Sequence, residues 1–288
     1  MHSIWKTIIL TTDTLNIISP WKDYLNNLRA RYGGEIDSHL FYDDIYVIHP
    51  DDQATVDAYN KARKEEDSCF ITNLIAAPFQ GNPLKAKVVF LSLNPGYVKR
   101  LNKDLAKVFE RIPNLPEQIN ALWSGFLSHE AKSMSPSSQN NELFTTYQSL
   151  VDWYWFDTFA TLRDSCGMSE DDTFFERVAV MQLMPYHSTK CDRVILTLPT
   201  QQYTKNLIRQ MLTQPDCPLF VVMRSEDKWS ELLNYGKVRG FDNCKYKEHF
   251  ILRRRYGEKE ARPRGQYINA NAFEEGGYQR IIDAITKS

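Results

Sequence analysis

Three apolar runs constrain this chain more than anything else in it: KVVFLSL at 87–93, RVAVMQLM at 177–184 and PLFVVMR at 218–224. A strand with one wet face alternates apolar and polar residues. These runs are too continuous for that. They read as strands buried on both faces, as in a parallel sheet covered on each side. A fourth strand is expected at QYINA, 266–270. Helical patterns occupy 99–112, 116–130, 142–165, 201–214 and 227–235, and GGYQRIIDAITK reads as an amphipathic terminal helix. Strands alternating with helices predict the α/β class, as a three-layer α/β/α domain around a central four-stranded parallel sheet. HFILRRR, 249–255, admits an additional strand or a hairpin arm. Residues 1–80 are expected to form an N-terminal region packed on the core made by 81–288, giving one continuous domain. The short runs LFYDDIYVIHP and CFITNLIAAPF in that region match no assigned element.

Several function classes drop out early. No stretch of about 18 apolar residues occurs, so no membrane span is expected. The start, MHSIWKTIILTTDTL, lacks a basic segment and a small-residue cleavage site, so no signal peptide is expected. Cys69, Cys166, Cys191, Cys217 and Cys244 are far apart and form no CxxC pair. That argues against zinc or iron–sulfur ligation, and no metal or other cofactor is expected. Scattered thiols fit a reducing compartment, hence a cytoplasmic protein. A net charge of −1 gives no global attraction to nucleic acid, so any such surface must be a local patch. No obligate protein partner is indicated. KSMSPSSQNNE, 132–142, reads as a flexible stretch, and KARKEED, 61–67, as a solvated helix face.

In open α/β sheets ligands bind beyond the carboxyl ends of the strands. The first run is followed by Asn94, Pro95, Gly96 and Tyr97, the second by Pro185, Tyr186, His187 and Ser188, and the third by Arg224. Asn269 and Asn271 lie at the end of the expected fourth strand. Adjacent strands would gather these amides, an imidazole, a guanidinium and aromatic rings into one crevice. Such a set suits a flat polar ligand, hydrogen-bonded at its edge and stacked on its face. Each member also has a plainer reading. Asn-Pro-Gly is a common turn. His187 fits a surface histidine, and Gln182, inside an apolar strand, is either hydrogen-bonded structure or a reader of ligand. Trp153, Phe156 and Phe159 fit core packing better than a stacking platform. The stretch from Arg253 to Gly265 carries six basic residues against two acidic ones. It fits a solvated hairpin or a phosphate-tracking arm, the latter using Arg253, Arg254, Arg255, Arg262 and Arg264.

GNPLKAKVVFLSLNPGY, 81–97, resembles the first active-site motif of the uracil-DNA glycosylase superfamily, closest to its mismatch-specific uracil and thymine glycosylase branch. The Asn-Pro-Gly of that motif is intact, and Ser92 stands where the branch has its first Gly. Gln182 stands where the family carries a base-reading Asn, and INANAF replaces the family's His-Pro-Ser loop. The resemblance implies a DNA glycosylase that flips a nucleotide out of the duplex and hydrolyses its N-glycosidic bond. It gives catalytic roles to Asn94, which would position the water, and to His187, which would support the leaving base. Pro95, Gly96, Tyr97, Gln182, Asn269 and Asn271 would form the base pocket, with Arg224 and the basic stretch on the DNA backbone. Gly96 has no side chain to exclude 5-substituents, so mismatched, damaged or bulky 5-modified pyrimidines are the implied substrates. Repair and defence against phages with modified DNA are both compatible. The competing expectations are a non-catalytic binder of nucleic acid or nucleotide on the same scaffold, and a hydrolase using Cys191 or Ser188 with His187.

Overall fold

VVFLS meets its first polar side chain only at its last position, and the structure uses it as a strand buried on both sides. The computed structural model describes residues 47–95 without 73–75, 158–168, 173–254 without 192 and 237–239, and 268–287, with scattered helical positions between 20 and 30. Among the described residues one sheet holds five strands: β1 (Phe79–Gln80), β2 (Val88–Ser92), β3 (Val178–Gln182), β4 (Leu219–Val222) and β5 (Phe250–Leu252). Their order is β1-β3-β2-β4-β5. β2 pairs in parallel with β3 on one side and β4 on the other, and β4 pairs in parallel with β5. β1 closes the β3 edge antiparallel.

Side chains alternate between two cores. Val89, Leu91, Ala179, Met181, Phe220 and Phe250 point to one face. There they meet Val56 of α1 (Gln53–Lys61), Leu207, Ile208 and Met211 of α3 (Gln201–Met211), and Trp229 and Leu233 of α4 (Glu226–Leu233). Val88, Phe90, Val178, Val180, Val221 and Ile251 point to the other. There they meet Phe159 and Leu162 of the helical segment 158–165, Phe174 of α2 (Thr173–Arg177), and Ile281 and Ile285 of α5 (Gly277–Thr286). Helices therefore cover both faces of an α/β sheet. Each large side chain so buried contributes about 1.5–3 kcal/mol. Phe159 lies against Phe90, ring centroids 4.9 Å apart, and so packs in the core. Trp153 and Phe156, like the expected helices 99–112 and 116–130, lie outside the described residues. Trp21, Tyr24, Val47, Phe70 and Phe79, from the first eighty residues, share the core of the α3–α4 face.

Two expectations need correction. Among the described residues the parallel strands number four with Phe250–Leu252 as the fourth, antiparallel β1 makes a fifth, and the described part of the expected strand, 268–270, is not extended ladder. Phe250 stacks on Phe220 at 5.3 Å, while Ile251 fills the opposite core, so this short tripeptide is held from both sides. At 269 the Asn side chain accepts from the Asn271 backbone N–H, and a 3-10 turn, Ala270–Ala272, follows. That local bond competes with an extended ladder. KARKEED is not a helix face either. α1 stops at Lys61, and Glu65 and Asp67 of the following loop pair with Lys190. Among the described residues no helix is long and apolar enough to cross a membrane.

Gly81 leaves β1 with φ +72°, and a Cβ there would lie 2.7 Å from the Val178 carbonyl oxygen. Gly81→Ala is expected to cost about 2 kcal/mol through strain and clash, read as a lower urea midpoint with an unchanged slope.

Asp52 ties the N-terminal region to the sheet. It is fully buried and accepts from Tyr186 Oη (2.6 Å), Thr200 N (3.0 Å) and Thr200 Oγ1 (2.6 Å). Asp52→Ala orphans these donors and is expected to cost about 3 kcal/mol in urea unfolding. Desolvation holds the Asp52 carboxyl above its ordinary range, outweighing the hydrogen bonds from Thr200 and Tyr186 that pull it down. The fold thus binds this proton more tightly than the unfolded chain does. The linked stabilisation is full below the ordinary carboxylate range and is lost as pH rises through the folded value. The stability gap between wild type and Asp52→Ala should therefore narrow as pH rises through that window.

Candidate functional site

The strand order fixes where a ligand fits. From β2 the chain moves to β3 on one side, then crosses back to β4 on the other, so the order reverses between β2 and β4. A crevice opens at the carboxyl ends of such strands. Leu93, Asn94 and Pro95 leave β2 there, and Met223, Arg224 and Ser225 leave β4. The edge is tightly made. Met223 N donates to Leu91 O (2.9 Å), Met184 N to Leu93 O (2.8 Å), and the buried Trp229 indole to Ser92 O (3.0 Å). Ser225 turns the chain into α4 through a left-handed conformation, φ 55°.

Asn94 is half-buried at this edge, and its Nδ2 donates to Ser188 Oγ at 2.9 Å. Ser188 is buried. Its loop is held on both flanks: Tyr186 by Asp52, and the His187 carbonyl by the Ile71 N–H at 2.9 Å. Among the described residues Asn94 Oδ1 takes no hydrogen bond, so one end of the amide is anchored and the other is open. Ser188 was weighed in the sequence only as a nucleophile. Its oxygen is instead the acceptor for Asn94.

Gln182 ends β3 as the register partner of Ser92, on the face of Val180 and Phe90. It is only 1% exposed, and among the described residues neither Oε1 nor Nε2 has a hydrogen-bond partner. A buried amide left without partners costs about 1–3 kcal/mol, a cost that a ligand pairing with it would offset. Asn94 stands two residues past Ser92, about 7 Å further along the same edge by strand rise.

The other expected residues separate into groups. Pro95 is half-buried beside Asn94, and half-buried His187 adjoins Ser188. Arg224 is exposed at the β4 exit. Arg253 and Arg254 follow β5, where Arg253 bridges Phe273 and Arg254 N donates to Ala272 O. Asn269 caps the 3-10 turn Ala270–Ala272, which contains Asn271 and leads into Phe273, the bridge partner of Arg253 after β5. Gly96, Tyr97, Arg255, Arg262 and Arg264 lie outside the described residues. Among the described residues no group of His, Cys, Asp and Glu is arranged to hold a metal ion. No protein-family model, curated protein or solved structure matches the chain.

Proposed function

We propose that this chain is a DNA glycosylase acting on a mismatched, damaged or bulky 5-modified pyrimidine, on a uracil-DNA glycosylase-like fold. The observation that carries the reading is the unpartnered, buried amide of Gln182 on the same edge as Asn94. A flipped pyrimidine presents one donor and one acceptor side by side, which a carboxamide matches. The resemblance of 81–97, four parallel strands covered on both faces, and the strand-order reversal at Asn94 support the same reading.

In this reading Asn94 Oδ1 accepts from a water and aims its lone pair at the sugar C1′. The water oxygen bonds to C1′ as the C1′–N bond breaks, and the bonding pair leaves with the base. One water proton ends on the departing base, giving an abasic sugar and a free base. An amide is a weak base, so orientation contributes more than proton abstraction. His187, next to Ser188 on the same loop, would donate to the leaving base and offset its charge. Arg224 and the basic stretch from Arg253 would hold phosphates while the base leaves the stack at a cost of about a few kcal/mol. Incubation with duplexes carrying uracil, thymine mismatches or 5-modified cytosines, followed by alkaline cleavage, tests the reading. Strand scission at the modified position supports it. Salt-dependent DNA binding with no abasic site on any duplex would leave a non-catalytic binder instead.

A further inference from the structure

We infer that Gln80 is a specificity-determining residue that favours a 4-amino pyrimidine, a cytosine derivative, over a 4-oxo one. The inference rests on the glycosylase reading for the ligand being a flipped base.

Two glutamines, not one, lie on this face of the sheet with unpartnered buried atoms. Gln80 of β1 is the register partner of Val180, and Pro78 accepts from the Gln182 backbone N–H at 2.8 Å. Phe79, paired with Met181, points to the α3–α4 core, so Gln80 points with Val180 and Gln182 to the other face. Gln80 and Gln182 are therefore diagonal neighbours across an antiparallel pair, about 7 Å apart at most between Cβ atoms. The side chain of Gln80 turns its Oε1 inward, and that oxygen is buried with no hydrogen-bond partner. Among the described residues three buried polar atoms without partners thus share one face on the β1–β3 side of the sheet: Gln80 Oε1, Gln182 Oε1 and Gln182 Nε2.

Their chemistry is not symmetric toward the two pyrimidine types. Gln182 serves either one. Its Oε1 and Nε2 match the amino N–H and N3 of a cytosine edge, and turned over they match O4 and N3–H of a uracil edge. Gln80 adds a second buried acceptor. A 4-amino group carries two N–H bonds, so it satisfies both Gln182 Oε1 and Gln80 Oε1. A 4-oxo group, even with Gln182 turned over to donate to it, sets its oxygen against Gln80 Oε1 with no hydrogen to share. Turning the Gln80 amide over would relieve this only by burying two N–H donors in place of the oxygen. The acceptor at Gln80 thus discriminates where Gln182 does not.

The test is equilibrium binding by the full chain carrying Asn94→Ala, which stops base release. Two duplexes differ only in one 5-hydroxymethylcytosine or 5-hydroxymethyluracil, each opposite cytosine so that both are mispaired. The amino base should bind about 10-fold tighter, the worth of one added hydrogen bond. Adding Gln80→Leu should bring the ratio close to one. Gln80→Glu keeps an acceptor and should keep the preference, which separates recognition from any loss of folding. Equal binding, a preference for the oxo base, a ratio that survives Gln80→Leu, or no binding to either duplex overturns the inference. Failure of the wild type to release any base counts against the glycosylase reading alone. Base release without a base preference counts against Gln80 alone.

Discussion

Asn94→Ala should remove base release almost entirely while leaving DNA binding unchanged. The reason is geometric. Asn94 stands past the carboxyl end of β2, where its Nδ2 donates to the buried Ser188 and its Oδ1 takes no hydrogen bond among the described residues. In the proposed mechanism that oxygen is the only protein group holding the water. Losing it frees the water to drift by an ångström or more, which costs on the order of 10²–10³-fold in rate. The side chain makes no other hydrogen bond among the described residues, so stability should fall little. Single-turnover base release beside a binding isotherm separates the two effects. Equal release by wild type and variant would remove Asn94 from the mechanism.

Gln182→Leu should move stability and activity in opposite directions. Neither amide atom of Gln182 is hydrogen-bonded, and the side chain is buried in the face of Phe90 and Val180. Leucine removes the unsatisfied groups and keeps the volume, so the variant should be more stable than wild type by about 1–2 kcal/mol. The same change removes the donor and acceptor that would read the base in the proposed function. A bidentate contact of this kind is worth about 1–3 kcal/mol of discrimination, so release should fall about 10- to 100-fold. A residue kept for packing would show the reverse: lower stability with activity intact. Urea unfolding and base release on the same preparation decide between them.

Where chemistry and periodicity agreed, the fold was legible. The runs around Val88, Val178 and Leu219 are apolar without interruption, and each became a parallel strand in the middle of the sheet. β5 was legible only in part. Phe250–Leu252 has three residues beside a basic run, too few for a period, and its place depends on Phe220 across the pair. The described end of QYINA, 268–270, is no strand because Asn269 closes a local turn with its own side chain. β1 has two residues and no sequence signature at all.

The site divides in the same way. Asn94 and Gln182 stood out because an amide at the end of an apolar strand is chemically out of place. Ser188 did not, because a hydroxyl in a loop is ordinary until its partner is known. Gln80 was invisible for a deeper reason. Which face it takes is set by the antiparallel register with β3, a tertiary fact that its neighbours in sequence do not encode.

The measurement that tests the account most directly is mass spectrometry of free bases released from a panel of natural and phage DNAs. The account predicts a modified pyrimidine in the soluble fraction with wild-type protein and none with Asn94→Ala. A folded, DNA-binding wild-type protein that releases no base from any DNA in the panel would contradict it.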